Sequence, residues 1–240
     1  MAKSNAPFAL SVVRLTEPGD VDRTFHRITE FDGKSFGFSH NDTWQGLASC
    51  LRGLAPPDRA DVWFAKMHPR VRKCLKGLTT LGWALKLETR RFQDFEHAGV
   101  RSIQSLQWSP EVKIRVRAPC WYVANGIAHI PLLLAHKEQL PDDRIAMYKE
   151  FGRLAYSQGE WSEAQTPLID LSGDDPVACA RFVDTEELPE VKSETMREFV
   201  HTYLAAKRLA DEKRADEKVS QRKTNESKVD LLSVLDDLPE

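Results

Sequence analysis

Charged residues are segregated along this chain, and the segregation constrains which of its surfaces can lie side by side. Residues 66–117 contain 12 Lys/Arg and 4 Asp/Glu, whereas residues 118–190 contain 5 and 13. The two blocks therefore carry net charges of +8 and −8, although the whole chain carries only −2. Either the basic block binds a polyanion, or the two blocks neutralise each other inside one fold.

Composition restricts the class of protein. A chain of 240 residues can bury a substantial core, and 41% hydrophobic with 29% charged residues is typical of a soluble globular protein. The longest apolar run, residues 130–135, is too short to cross a bilayer, and the first residues lack the apolar stretch of a signal peptide. The four cysteines form no CxxC pair, which favours free thiols. We therefore expect a cytoplasmic protein without a membrane segment.

The order of patterns predicts an α+β fold with a single mixed domain of short strands and several helices at residues 1–190. A C-terminal helix and charged extension follow at 191–225, and a flexible acidic-leucine interaction motif occupies 226–240. Residues 220–228 are polar and are expected to be disordered. The predicted strands are 8–15, 24–31, 34–39, 111–117, 168–171 and 180–183. The predicted helices are 41–54, 58–67, 69–96, 132–139, one from Asp142 and one from Ser193 or Thr195.

One predicted strand alternates in a way that separates cations from apolar residues. Its Val and Ile side chains at 112, 114 and 116 face one way, and Lys113, Arg115 and Arg117 face the other. With Trp108 beside it, this face is typical of a sheet surface that holds a single nucleic-acid strand. The alternative is a sheet edge that charge protects from aggregation.

The predicted helix that begins at Pro69 separates residues in the same way. Apolar residues at helical spacing form its inner face, and the opposite side combines cations with an indole ring. That combination suits phosphate contacts and base stacking. The alternative is a solvated face whose tryptophan packs on a neighbouring element. The residues of the outer face are Lys73, Lys76, Thr80, Trp83, Leu87, Arg90 and Arg91.

Together these patterns favour a non-enzymatic nucleic-acid-binding protein, with single strands preferred, from a bacterial or mobile-element DNA- or RNA-processing system. A pI near 6.4 argues against it, because nucleic-acid-binding domains are usually basic. Trp83 and Trp108 are the candidate stacking residues. The candidate phosphate ligands are Lys73, Lys76, Arg90, Arg91, Lys113, Arg115 and Arg117.

The end of the chain combines leucines with acidic residues, a composition typical of a short helix that docks in a partner's groove. The candidate partner-binding residues are Leu231, Leu232, Leu235 and Leu238. An alternative function follows from the same features. The chain would be an adaptor or assembly subunit in which basic and acidic blocks of adjacent copies meet head to tail, giving a homo-oligomer.

Catalytic patterns are weak by comparison. Glu111 and Lys113 fit an acid-x-lysine pair of a metal-dependent nuclease, our third hypothesis, but such a site needs a second carboxylate nearby. The seven histidines form no HExxH pattern, and no glycine-rich phosphate loop is present. We therefore expect no cofactor and no resident metal ion.

Overall fold

The computed structural model describes residues 6–33, 43, 50, 57–87, 91–93, 102–183 and 187–236. Contacts between residues divide the chain into two compact units. The larger unit comprises Met1–Arg14 and Phe36–Met196, and the smaller comprises Leu15–Ser35 and Arg197–Glu240. Short strands and several helices alternate in the described part, so the predicted α+β class is confirmed. The predicted domain boundary at residue 190 stays a prediction. No helix among the described residues is long and apolar enough to cross a membrane.

The described part contains seven α-helices, of which the last is the longest, and eight short strands. The helices are α1 (Ala9–Leu15), α2 (Val21–Gly33), α3 (Ala60–Trp63), α4 (Pro69–Leu87), α5 (Asp142–Tyr156), α6 (Pro176–Cys179) and α7 (Ser193–Asp236), the last with 44 residues. The strands are β1 (Arg91–Gln93), β2 (Ile103–Ser109), β3 (Val112–Arg117), β4 (Trp121–Ala124), β5 (Ile127–His129), β6 (Leu132–Leu134), β7 (Leu168–Asp170) and β8 (Arg181–Val183).

Three small sheets form from these strands. β2 and β3 make an antiparallel hairpin, and β4 pairs antiparallel with both β1 and β5. Asn125 and Gly126 join β4 to β5 with φ angles of 53° and 78°, the left-handed pair that a tight hairpin turn requires. In the third sheet β7 is central, parallel to β6 and antiparallel to β8.

The third sheet is covered on both faces by helices. Leu133 belongs to the apolar cluster that contains Cys74 and Leu78 of α4. Its neighbour Leu132 points the other way, where a Cβ on Gly152 of α5 would collide with it. The sheet therefore lies between α4 and α5, and α5 connects the parallel strands β6 and β7.

The prediction of a helix at residues 132–139 was wrong, because β6 occupies its start. Leu132, Leu133 and Leu134 are all buried, at most 2% exposed. A strand covered on both faces lacks the apolar–polar alternation that identifies a strand in sequence, so its leucines look like the core of a helix.

The predicted strands at 8–15 and 24–31 were also wrong. The first forms α1, whose Val12 and Val13 are fully buried. The second lies in α2, where Thr24 and Ile28 are buried at a spacing of four residues. Asp20 caps this helix, since its Oδ1 accepts a hydrogen bond of 2.8 Å from the backbone nitrogen of Arg23. Tertiary burial and the cap outweigh the β propensity of the valines and threonines.

Two helix ends differ from the prediction. α4 ends at Leu87 rather than near residue 96, because residues 91–93 form β1 and pair with β4. α7 continues through residues 220–228, which were expected to be disordered. Within α7, ion pairs with i,i+4 spacing join Arg208 to Glu212 and Lys213 to Glu217, and such pairs stabilise the exposed part of a helix.

The other predicted elements agree with the structure where it describes them. The strands predicted at 111–117, 168–171 and 180–183 correspond to β3, β7 and β8, and the predicted helices beginning at Asp142 and Ser193 are α5 and α7. The helix predicted at 58–67 is shorter, with a 3-10 turn at Pro57–Arg59 followed by α3. Of the helix predicted at 41–54, Thr43 and Cys50 are described and are helical; the strand predicted at 34–39 lies outside the described residues.

In the smaller unit, α2 and α7 lie against each other. The backbone nitrogen of Gly19 donates to Oγ1 of Thr202 at 3.3 Å, and Nζ of Lys213 lies 5.8 Å from the ring centroid of Phe25. One side of α7 is buried as far as Ala210, and an exposed charged stretch follows it.

The buried cysteines of the larger unit yield a prediction. Cys50 and Cys74 are buried, and desolvation raises the pKa of each to about 11. We expect iodoacetamide at mildly alkaline pH to modify the half-buried Cys179 first and to spare these two thiols, because alkylation needs an accessible thiolate. Peptide mass mapping after timed quenching measures this order, and equal rates for the three in the native protein would contradict it. Equal rates are expected only in denaturant.

Candidate nucleic-acid interface

The β2–β3 hairpin brings three of the predicted cations onto one face. In its register Lys113 lies opposite Gln107, Arg115 opposite Ser105 and Arg117 opposite Ile103. Paired residues of antiparallel strands share a face, and the residues between them, Ile114 and Val116, are fully buried on the other. We call the six residues 103, 105, 107, 113, 115 and 117 the hairpin face. Neither strand contains an acidic residue.

The three cations of the hairpin face differ in how they are held. Lys113 is exposed. The guanidinium carbon of Arg115 lies 4.1 Å from the ring centroid of Phe8, and its backbone nitrogen donates to the carbonyl of Pro7 at 2.8 Å. Burial lowers the pKa of Arg117, while the neighbouring hydroxyl of Tyr148 raises it. Both arginines are half-buried, and this restricts the motion of their side chains.

Trp108 does not join this face. The bulge between Gln107 and Ser109 leaves Trp108 on the buried side of the hairpin, where its ring lies 6.1 Å from Phe151 of α5. On the same side, the hydroxyl of Tyr156 donates to the carbonyl of Ser102 at 2.8 Å. The expectation that Trp108 stacks on bases beside the cations therefore does not fit this geometry, because its ring packs the hairpin onto α5.

The outer face of α4 carries the other predicted residues. Lys73 is exposed, and Trp83 is 38% exposed. Nζ of Lys76 forms an ion pair of 2.6 Å with Oδ2 of Asp61 in α3. A carboxylate on this surface opposes phosphate binding, so the α4 face suits a polyanion less well than the hairpin face does.

The structure does not bring the cations of the hairpin face and those of the outer face of α4 together into one surface. α4 packs on the Leu133 side of the third sheet, whereas the hairpin packs on α5, which covers the Leu132 side. Arg91 lies in β1 rather than on α4, and Arg90 lies outside the described residues. Proximity along the chain therefore does not produce one continuous surface.

Within the acidic block, residues 118–190, cationic side chains form ion pairs with carboxylates of the same block. The ion pairs described there join Lys137 to Asp174 at 3.2 Å, Arg153 to Glu150 at 2.6 Å, and Arg181 to Asp170 at 3.5 Å. All six residues belong to the acidic block itself. None of these three pairs involves a residue of the hairpin face.

Arg70 has a role that sequence reasoning missed. Its guanidinium donates to the carbonyls of Gly173 at 2.5 Å, His136 at 2.9 Å, Leu171 at 3.1 Å and Ala135 at 3.3 Å. These carbonyls follow β6 and β7, so Arg70 ties the start of α4 to the carboxyl ends of the parallel strands. No spacing in the sequence distinguishes this arginine from the solvated cations around it.

Two exposed apolar residues of α3 were also missed. Val62 is 77% exposed and Trp63 is 60% exposed, whereas Ala60 of the same helix is fully buried. Phe64 packs on the core cluster one helical turn after Ala60. Burying a side chain such as Val62 is worth roughly 1.5–3 kcal/mol, so an exposed neighbouring pair is a candidate contact surface. The Trp at position 63 was the only available signal.

The remaining candidates are not assembled into a site by the described residues. Glu111 is exposed in the turn between β2 and β3, and no group of three or more His, Cys, Asp or Glu suited to a metal ion occurs in the part that the structure describes. Leu231, Leu232 and Leu235 lie in the helical backbone of α7, and Leu238 lies outside the described residues.

Comparisons with known proteins add no identity to these observations. The chain has no significant match among protein-family models, curated proteins or solved structures.

Proposed function

We propose that this chain is a non-enzymatic nucleic-acid-binding protein that holds the phosphate backbone on the hairpin face. One observation carries the proposal: the strand register aligns Lys113, Arg115 and Arg117 on one face with no carboxylate in either strand. The ring of Phe8 restrains Arg115 before a ligand arrives, and partial burial restrains Arg117. This lowers the ordering cost of binding.

The same geometry favours contacts with phosphates over contacts with bases. The side-chain amide of Gln107 already donates to the carbonyl of Ser109, and Trp108 packs beneath the hairpin. Without stacking, affinity follows charge density, which is higher for a duplex than for a single strand. A two-stranded ribbon also fits the major groove. Duplex DNA is therefore the expected preferred ligand, in place of the single strand that Trp83 and Trp108 suggested.

Fluorescence anisotropy with labelled duplex DNA, single-stranded DNA and single-stranded RNA tests the proposal. If the three cations each contact a phosphate, raising salt from about 50 to about 200 mM lowers duplex affinity about 40-fold and single-strand affinity about 20-fold. Lys113→Glu is expected to weaken duplex binding about 10-fold at the lower salt and to reduce the salt slope by about 1.

Lys73→Glu provides the matched control, since it makes the same charge change on an exposed residue of α4, on the other side of the third sheet. It is expected to leave duplex affinity within about twofold. No binding by the wild-type protein at low salt, or equal losses for both variants, would refute the hairpin face as the binding surface. Tighter binding to single strands would mean that stacking contributes.

The tail belongs to the same proposal as a protein-binding element. The leucines at 231, 232 and 235 lie on a helical backbone, the form in which a short amphipathic segment enters a partner's groove. The polar stretch before them separates this segment from the buried part of α7. Its role is to recruit a protein to the bound nucleic acid.

A further inference from the structure

The outer edge of β2 presents backbone hydrogen-bonding groups that point away from its partner strand. Among the described residues, only β3 pairs with β2. The backbone nitrogen of Ala118 donates to the carbonyl of Ser102 at 2.9 Å, and inward and outward groups alternate from one residue to the next along an antiparallel strand. The N–H and C=O groups of Ile103, Ser105 and Gln107 therefore point outward, and all three residues are exposed.

The two edges of the hairpin differ in their protection. Along β3, the backbone nitrogen of Arg115 points away from β2 and donates to the carbonyl of Pro7, and Phe8 forms a parallel bridge with Arg115. Exposed edges are usually protected by charged side chains, by proline or by a bulge. The sequence of β2, Ile-Gln-Ser-Leu-Gln-Trp-Ser, contains no charge and no proline, and its bulge lies beyond the three outward residues. Such an edge is suited to pairing with a further strand.

Burial on the inner side of the hairpin also decreases toward the edge of β2. On β3, Ile114 and Val116 are fully buried, whereas their cross-strand neighbours on β2, Leu106 and Gln104, are only half-buried. Leu106 therefore retains accessible apolar surface, and a further strand beside β2 would cover part of it.

We infer that β2 pairs antiparallel with β2 of a second copy of this chain, about a twofold axis at Ser105. In this register Ser105 lies opposite its counterpart, and Ile103 of each copy lies opposite Gln107 of the other. Every outward residue then meets another outward residue, and each such pair exchanges two backbone hydrogen bonds. A register shifted by one residue would place outward groups opposite inward groups and lose these bonds.

The charge distribution of the hairpin favours a second copy as the partner. β2 lies beside its own copy without repulsion, because it contains no charged side chain. The cations of β3 would occupy the two outer strands of the resulting four-stranded sheet, three strand spacings or about 14 Å apart. That separation exceeds the Debye length of about 8 Å at physiological salt. Pairing through β3 would instead bring like charges together.

The pairing makes one surface from two hairpin faces, a consequence that rests on the proposed function. Paired residues share a face, so the cations of both copies lie on the same side of the sheet. The distance between the two cationic rows, about 14 Å, is comparable with the width of the DNA major groove, about 12 Å. Each row can then contact one of the two phosphate strands, while the uncharged residues of β2 lie over the groove. The second copy thus completes the duplex site.

Cysteine cross-linking tests the register. Ser105→Cys places two thiols opposite each other with Cα atoms about 5.5 Å apart, within disulfide range, so mild oxidation should give a covalent dimer on non-reducing electrophoresis. Gln107→Cys is the matched control, because it is exposed on the same face but its counterpart lies about 13 Å further along the strands. It should stay monomeric on the gel, as should the wild-type protein. Equal cross-linking of both variants, or none of Ser105→Cys, overturns the inference.

Sedimentation velocity of the full-length protein without nucleic acid measures the association. The wild-type protein is expected to approach twice the monomer mass as concentration rises. Ser105→Pro removes an outward N–H and leaves the bonds between β2 and β3 in place, so it should weaken association about 30-fold. Ser105→Lys sets like charges directly opposite each other and should have a similar effect without the conformational restriction of proline. Ser105→Thr, which keeps the N–H and adds no charge, should leave association unchanged. A wild-type protein that stays monomeric at all concentrations overturns the inference.

The salt dependence of duplex binding separates this inference from the proposed function. The slope is about −3 when one hairpin face contacts phosphates, and it should reach about −5 in the dimer and return to about −3 in Ser105→Pro. A dimer that binds no nucleic acid would support the pairing of β2 and refute the hairpin face as a binding surface. A monomer that binds duplex DNA with a slope near −3 would overturn the pairing and leave the hairpin face standing.

Discussion

Replacing Arg70 with Met is expected to destabilise the larger unit by about 3 kcal/mol, the largest effect of any single change proposed for this chain. The substitution keeps the aliphatic stem but leaves the carbonyls of Ala135, His136, Leu171 and Gly173 without their charged donor. Hydrogen bonds to charged groups contribute roughly 1.5–3 kcal/mol each, and partial exposure lets water replace some of them. Urea unfolding measures the loss, and a fall in Tm of about 6–12 °C should accompany it.

Two further variants test whether the loss of stability in Arg70→Met comes from the hydrogen bonds to the carbonyls. Lys73→Met removes an exposed charge one turn further along α4 and should cost less than about 0.5 kcal/mol. Arg70→Lys keeps the charge but loses the planar fork that reaches several carbonyls at once, so an intermediate loss is expected. If all three variants are equally stable, the carbonyl contacts contribute nothing measurable to the fold.

Gly77→Ala should destabilise the same unit by about 2 kcal/mol. Alanine normally improves a helix by roughly 1 kcal/mol over glycine, so the sign of the effect is itself diagnostic. Here a Cβ would overlap the backbone carbonyl of Pro176 at the start of α6 and approach the Cβ of Ala180 to 3.2 Å. Backbone does not move aside cheaply, and overpacking of this kind costs roughly 1–3 kcal/mol.

Gly152→Ala is the informative comparison for Gly77→Ala. Its Cβ would meet Cδ1 and Cγ of the fully buried Leu132, which are side-chain atoms and can shift more readily than the backbone of Pro176. The loss should therefore be smaller, measured again by urea unfolding. Thr80→Ala, at an exposed position of α4, should be neutral or slightly stabilising. A stabilising Gly77→Ala would show that α4 and α6 do not pack as closely as this.

Sequence patterns identified the helices and strands that have one solvent-exposed face and one buried face. The alternation of residues 112–117 predicted β3 with its buried Ile114 and Val116, and Pro69 marked the start of α4. Elements that tertiary contacts bury on several sides escaped recognition. β6 is buried throughout, and α1 carries Ser-Val-Val, which favours a strand when considered alone.

The candidate site was predictable only within one element at a time. Residue spacing placed Lys113, Arg115 and Arg117 on a common face, and the register confirms that arrangement. Residue spacing does not show on which side of a sheet a helix packs, so α4 and the hairpin were expected to form one surface. In the structure the hairpin packs on α5, and the third sheet lies between α4 and α5. The function of the hairpin face stays a prediction.

The stretch of α7 between residues 210 and 228 also separates the charges at its two ends by more than the range of electrostatic interactions in salt solution. Between Ala210 and Lys228 the helix rises by about 27 Å, more than three Debye lengths of about 8 Å at physiological salt. Fields from charges near residue 210 have therefore decayed before the acidic end of the chain is reached. A partner that binds residues 229–236 therefore meets the charge of those residues and not the charge of the buried part of α7.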